Sequence, residues 1–371
     1  MNVLHICSYY LGTRLYERFI EKLSSLNIQN MVYVFTDTKV KVPEYISSNI
    51  IISKCYKKWN RIFFPLKHNK ALNDIQNVID ITAYDIMHAH SLFSNGYLAY
   101  KLFLKRNIPY IVAVRNTDVN VFFKFMPHLR NLGISILQNA SRVIFISESY
   151  KEQVIEKYIS KELKDGIREK SIVIPNGIDE YWLNNKNILH HKNIHDPIRL
   201  IYVGTVDKNK NIETTIKASK KLLISGFNVS YKIIGKIQNN KYRFKIKKNK
   251  FISYVANSPK EDILPLYRES DIFIMPSKHE TFGLVYAEAM SQGLPVIYTR
   301  NQGFDKNFPE GEVGFPVKYN DPNEIIEKIH LIINNYSMIS QNCIQRVNRF
   351  DWNAIAKEYM DIYKRVISIQ A

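Results

Sequence analysis

Short apolar runs alternate with amphipathic stretches through the first half of the chain. Runs at 3–7, 30–35, 86–89, 110–114, 142–146 and 171–174 read as strands, and the stretches 14–25, 70–79 and 92–105 as helices between them. Strands separated by helices of this length imply parallel βαβ units. The pattern breaks over 179–197, where Asn184, Asn185, Asn187, the adjacent His190 and His191, and Pro197 interrupt the periodicity, and this stretch reads as an interdomain linker. A second alternation follows, with strands at 200–203, 230–234, 251–254, 272–275 and 295–298 and helices at 212–224, 260–270 and 283–291. A last helix covers 352–366, after Asp351. The fold class is therefore α/β, with two Rossmann-like doubly wound domains at 1–180 and 198–350. Ligands of open α/β sheets bind beyond the carboxyl ends of the strands, so the site is expected on βα loops, between the domains.

Composition adds limits. The 371 residues are 46% hydrophobic, enough for a core in each half. The opening residues read as a strand rather than a basic region followed by an apolar one, so no signal peptide is expected. No apolar run approaches the ~18 residues of a membrane span. Cys7, Cys55 and Cys343 are far apart and odd in number, which argues against a disulfide framework. A cytoplasmic protein is expected. The net charge of +18 divides equally between residues 1–190 and 191–371, so no single basic tail carries it. Either the surface attracts anionic partners, or the excess follows from a composition rich in Lys, Asn and Ile. Nucleic acid is not expected, because no helix-turn-helix, RNA-binding or zinc signature occurs.

Three motifs bear on chemistry. The segment 276–290, PSKHETFGLVYAEAM, runs from a strand into a helix whose first N–H groups, near Phe282, Gly283, Leu284 and Val285, form an anion site. Glu280 precedes that helix and Glu288 lies inside it, so the two carboxylates can address opposite ends of one ligand, a ribose and a sugar. The alternative is that Glu280 caps the helix and Glu288 is solvated. The second motif, 202–211 (YVGTVDKNKN), puts Gly204 and Thr205 at a strand end before a basic loop. There Lys210 can neutralise a leaving phosphate, or simply be a solvated lysine. The third, 175–179 (PNGID), is a turn signal.

Taken in order, these residues resemble the family-4 retaining glycosyltransferases of the GT-B fold. The loop 9–14 (YYLGTR), the segments 85–90 (DIMHAH) and 143–148 (VIFISE), and the 350–352 (FDW) helix entry belong to the same resemblance. It implies that Glu288 binds ribose hydroxyls and that Glu280 contacts the donor sugar near the reacting carbon. Lys210 would hold the diphosphate with help from the N–H groups of Gly283–Val285, Thr281 and Phe282 would belong to the same donor-binding set, and Gly12 would let its loop approach the donor phosphate. The implied co-substrate is a nucleotide sugar, UDP- or GDP-linked rather than ADP-linked, with no cofactor. The implied reaction is transfer with retention and without metal, and no Asp-x-Asp occurs in the chain. The acceptor hydroxyl would attack from the leaving-group face while the departing phosphate oxygen takes its proton. The final helix would cross back to the N-terminal domain.

Three positions depart from the pattern. Thr205 stands where the family often has Arg. Gly12 stands alone where glycines are often paired. Arg115-Asn116 opens a segment that often begins with His. Arg115 cannot act as a base, since it stays protonated. It suits an anionic group, and Arg115, Asn116 and Asp118 are read as acceptor-side residues. His90 is a candidate base or a satisfied structural histidine.

The acceptor is expected on the N-terminal domain, as a surface glycan or a lipid-linked one. Residues 54–70 interleave lysines with Trp59, Phe63 and Phe64, which suits peripheral contact with an anionic membrane, the inner face of the plasma membrane. The alternative is core aromatics beside a solvated face. The run 241–250 reads as a solvated loop or helix face. The rival functions are a GT-B nucleotide-sugar epimerase and a weakly catalytic nucleotide-sugar-binding subunit.

Overall fold

In the computed structural model, residues 1–41, 47–61, 63–187 and 193–370 are described. Ile62, His190 and His191 therefore lie outside the described residues. The chain divides into two compact units: Met1–Ile146 with Tyr150–Asn176 and Trp352–Ala371, and Ser147–Ser149 with Gly177–Asp351.

Among the described residues the first unit has seven parallel strands. They are β1 (Asn2–Ile6), β2 (Gln29–Asp37), β3 (Ile50–Tyr56), β4 (Ile86–Ala89), β5 (Tyr110–Val114), β6 (Arg142–Phe145) and β7 (Ser171–Val173), in the order β3-β2-β1-β4-β5-β6-β7. All five residues of β5 are buried, as in a parallel sheet with both faces covered. The helices are α1 (Leu15–Ser24), α2 (Phe64–Val78), α3 (Ser94–Arg106), α4 (Arg130–Asn139), α5 (Glu148–Tyr158) and α6 (Lys161–Glu169).

Among the described residues the second unit has six parallel strands. They are β8 (Ile198–Val203), β9 (Val229–Ile234), β10 (Ile252–Val255), β11 (Ile272–Ile274), β12 (Val296–Thr299) and β13 (Gly314–Val317), in the order β10-β9-β8-β11-β12-β13. Its helices are α7 (Glu180–Asn184), α8 (Ile212–Ile224), α9 (Asn240–Lys247), α10 (Lys260–Arg268), α11 (Leu284–Ser291), α12 (Pro322–Asn334) and α13 (Tyr336–Arg346). The last helix, α14 (Trp352–Gln370), belongs to the first unit. There Trp352, Ile355, Tyr359 and Tyr363 share one apolar cluster with α1, β1 and β2, and the Phe19 and Tyr359 rings meet at 4.8 Å.

Both sheets reverse direction once, between β1 and β4 and between β8 and β11. At such switch points adjacent strands send their connections to opposite faces, opening a crevice at their carboxyl ends. The segment 54–70 resolves into the end of β3, a 3-10 turn (Lys58–Arg61) and the start of α2, which begins six residues before the expected 70 with Pro65 in its first turn. The run 241–250 is largely α9, with Tyr242 and Ile246 buried and the lysines outward.

Candidate functional site

In the second unit the loops after β8 and β11 are sewn together at the switch point. Asn209 donates from Nδ2 to the His279 carbonyl at 2.8 Å and accepts the His279 N–H at 3.0 Å, and its carbonyl accepts the Lys278 N–H at 2.8 Å. Asp207 folds the first loop by accepting the N–H groups of Asn209 and Lys210, each at 2.8 Å. This brings Lys210 Nζ to 2.5 Å from Glu280 Oε2. Glu280 is 7% exposed, accepts the Thr281 N–H at 3.1 Å and lies 3.3 Å from the Ser277 hydroxyl. A third loop, after β12, closes on it. Gln302 Oε1 accepts the Glu280 N–H at 3.0 Å, and the Gly303 N–H donates to the Glu280 carbonyl at 3.1 Å.

Gly283 caps α11 with φ +73°, and Leu284 and Val285 follow in the first turn, where backbone N–H groups lack intrahelical partners. Phe282 is buried against Phe304 and Phe350, so it offers the site only its backbone. Gly204 has φ +146° and packs its carbonyl so closely under Gly235 that a Cβ there would lie 2.0 Å from that oxygen. The Thr205 carbonyl accepts the Tyr202 hydroxyl at 2.7 Å, so neither group brings a positive charge to the loop.

Glu288 is half-buried in α11, and among the described residues no donor meets its carboxylate. Burial, and then the neighbouring Asp179 charge, push its carboxyl up to about 7, opposed by Lys260. Lys260 holds Asp179 at 2.7 Å. A carboxylate of this kind accepts hydroxyl donors well once ionised.

The acceptor-side residues all lie in the first unit, near the β1/β4 switch point. Arg115 is anchored by Nε to the His90 carbonyl at 3.3 Å and by Nη1 to Asn176 Oδ1 at 3.1 Å. Asn116 Oδ1 accepts from Asn120 at 2.5 Å. One expectation, the acceptor contact of Asp118, needs correction. Asp118 is 1% exposed, and its carboxylate takes the N–H groups of Leu92, Phe93 and Arg115 at 3.0, 3.1 and 2.8 Å. It therefore serves the local backbone rather than an acceptor. Its carboxyl is nevertheless pushed up to about 6, because burial outweighs those three bonds.

His90 is a buried histidine. It is 1% exposed and stacks on His88 at 4.0 Å, with Nε2 3.0 Å from His5 Nδ1. Burial, then the neighbouring positive potential of His88, His5 and Arg115, holds it well below the usual imidazole range. His5 and His88 complete this buried triad and were not singled out in the sequence. Their signal was the parallel register that pairs His5 on β1 with His88 on β4. His88 Nδ1 sits 2.7 Å from the Tyr363 hydroxyl of α14. Gly12 is exposed, and a Cβ there would meet nothing within 4 Å.

Residues 13–181 match the model of Glycosyltransferase Family 4, and residues 185–349 that of Glycosyl transferases group 1. An uncharacterized glycosyltransferase of Methanocaldococcus jannaschii is 25% identical over 365 residues, 92% of this chain and 94% of that one. The capsular polysaccharide biosynthesis glycosyltransferase CapM of Staphylococcus aureus is 30% identical over 239 residues, 60% of this chain and 61% of its own. Among solved structures, Anabaena HepE in complex with UDP superposes with a TM-score of 0.68 at 16% identity, over 98% of this chain and 100% of that one.

Proposed function

Because the chain belongs to the family-4 glycosyltransferases of the GT-B fold, we propose that it moves a sugar from a nucleotide sugar to an acceptor hydroxyl, with retention and without a divalent metal. The setting is cell-surface polysaccharide or lipid-linked glycan synthesis, in line with the capsular relative. The donor is UDP- or GDP-linked, in line with the UDP held by the HepE neighbour. The observation that carries the reading is the meeting of Lys210 with Glu280 at the foot of α11.

In this mechanism the diphosphate lies over the N-terminus of α11, where the helix N–H groups and Lys210 neutralise the charge that grows as the sugar leaves. Glu280, held on both carboxylate oxygens, is fixed beside the reacting carbon. Glu288 accepts the ribose hydroxyls. The acceptor hydroxyl enters on the leaving-group face and passes its proton to the departing phosphate oxygen. Arg115 binds an anionic group of the acceptor. Among the described residues no helix is long and apolar enough to cross a membrane. The proposed place of work is the cytoplasm, peripherally on the inner face of the plasma membrane.

The test is a thermal-shift panel with UDP, GDP, ADP and their sugars, with and without EDTA, followed by product analysis with and without acceptor. At ~100 times the dissociation constant, binding stabilises by ~2.7 kcal/mol. Stabilisation by one nucleotide series, unchanged by EDTA, supports the reading. Release of an epimer without acceptor, or stabilisation only with added metal, overturns it.

A further inference from the structure

The first unit contains a cavity of 570 Å³ that the donor chemistry does not use. Ser8 and Tyr9 after β1, Tyr56 at the end of β3 and Thr117 after β5 place it at the carboxyl edge of the sheet. The rest of its wall has an apolar side and a polar one: Phe64 of α2 meets Phe122 of the π-helical turn after β5 (Asp118–Phe123) edge-on at 6.0 Å, with Val121, Met126 and Leu129 completing the apolar side, while Lys67, His68, Ser94 and His128 form the polar one.

Its rim is more unusual. Sixteen large hydrophobic residues are exposed among the described residues; Tyr9 and Val121 line this cavity, and Trp59, Phe63, Leu66 and Phe125 each stand within three residues in sequence of a lining residue. Trp59, Phe63 and Phe125 are 55%, 59% and 67% exposed. A soluble surface rarely gathers such side chains unless something covers them. The same flanks are cationic. Residues 54–70 contain no acid, Lys70 lies 5.8 Å from the Trp59 ring, and Lys124 lies 5.1 Å from the Phe125 ring. Asp118, the only acid in 115–130, is buried and engaged. A hydroxyl-rich soluble glycan would meet the polar side of this lining but leave the apolar side and the exposed aromatics uncovered. A hydrocarbon chain with an anionic head matches both, with interfacial aromatics and lysines at the boundary.

We propose that this cavity takes the hydrocarbon chain of a phosphate-bearing lipid acceptor, with the phosphate among the rim lysines. The assignment rests on the transferase reading for the word acceptor, but the lipid site can be tested without it. Full-length protein is titrated with dodecyl phosphate below its micelle concentration, with dodecyl maltoside and inorganic phosphate as comparison probes. Tryptophan emission reports binding, and Trp59→Phe assigns the signal. UDP stabilisation is measured in parallel on every sample. Dodecyl phosphate is expected to shift the emission to the blue, dodecyl maltoside to bind more weakly and inorganic phosphate not to shift it. Val121→Asp, at a partly exposed position that tolerates a polar group, is expected to weaken dodecyl phosphate at least tenfold at an unchanged thermal midpoint. No binding, or equal binding by Val121→Asp, in protein that still responds to UDP overturns the lipid site alone. Dodecyl phosphate binding without any nucleotide response counts against the transferase and leaves the lipid site standing.

Discussion

Lys210 reaches from the loop after β8 to set its ammonium 2.5 Å from Oε2 of Glu280, in the loop that leads into α11. Each group has a reason to be held: the lysine supplies the counter-charge to a 7%-exposed carboxylate, and the carboxylate fixes the place of the lysine ammonium. Lys210→Ala is expected to lower kcat about 10²–10³-fold, the usual loss for one electrostatic donor at a leaving group, with a smaller change in KM. It also leaves the carboxylate buried without its partner, at a cost of about 1–3 kcal/mol. The double variant Lys210→Met/Glu280→Gln should recover most of the midpoint, since neither charge is left alone, but not the turnover. Recovery of turnover in the double variant would show that the pair is structural only.

Glu288 should make donor binding pH-dependent. Its carboxyl is pushed up to about 7, so the ionised form that accepts ribose hydroxyls fills as pH rises through that value. UDP affinity is therefore expected to tighten between pH 6 and 8 in the wild type and to stay flat in Glu288→Gln. The stability effect has the opposite sign. Between about 4.5 and 7 the folded carboxyl keeps a proton that the unfolded one has lost, so this group lowers stability as pH rises. Glu288→Gln should raise the thermal midpoint more at pH 8 than at pH 5. Equal effects at both pH values would remove Glu288 from the buried, donor-facing role.

Much of this architecture is legible in the sequence, and what is not has particular causes. The runs at 86–89, 110–114 and 212–224 coincide with β4, β5 and α8, because uninterrupted apolar or amphipathic periodicity decides them. β13 escaped because it contains Gly314 and Pro316, both turn-formers by composition. Among the described residues it pairs only with β12, and an edge strand tolerates proline. α4 carries Gly133 at its centre, where a Cβ would lie 2.7 Å from the Phe93 ring, so a packing demand looks like a helix breaker. α12 has its own signal, Asp321 capping Pro322 onwards, which apolar periodicity alone did not pick out. In the site, Glu280 and Lys210 are local motif residues. Gln302 and Gly303, which hold Glu280 from the loop after β12, and Asn209, which joins two loops 70 residues apart, act through three-dimensional neighbours that no spacing announces.

The buried histidines predict acid lability. Burial holds His5 at about 4 and His68 at about 3, and keeps His88 and His90 well below 6.5. Below 6.5 the unfolded chain gains protons that the folded one refuses, so stability falls as pH drops from 6.5 towards these values, by up to about 1.4 kcal/mol per pH unit for each imidazole. Asp118 and Glu288, both raised, act in the opposite sense over part of this window, but they are two against four. Thermal midpoints should drop steeply between pH 6.5 and 4, and His68→Gln should make the slope shallower by about one proton. A wild-type midpoint that is flat over this range would contradict the burial of the neutral imidazoles.

Two glycines separate the needs of the fold from those of the ligand. Gly283 holds φ +73° at the head of α11, and a Cβ there would stand 2.4 Å from the Tyr286 ring. That ring cannot yield easily: its hydroxyl donates to the Met275 carbonyl at 2.6 Å, and it packs against Phe273 and Phe304 at 5.4 and 4.7 Å. Gly283→Ala therefore combines left-handed strain with overpacking, and should cost about 2–4 kcal/mol of stability and weaken UDP binding by disturbing the first turn. At Gly12 a Cβ meets nothing within 4 Å, so Gly12→Ala should leave the midpoint within about 0.5 kcal/mol of wild type. Any loss of nucleotide-sugar affinity in Gly12→Ala would then come from the donor itself approaching that loop, because the folded chain makes no such demand. Unchanged affinity would place the donor diphosphate on the second unit alone, over Lys210 and α11.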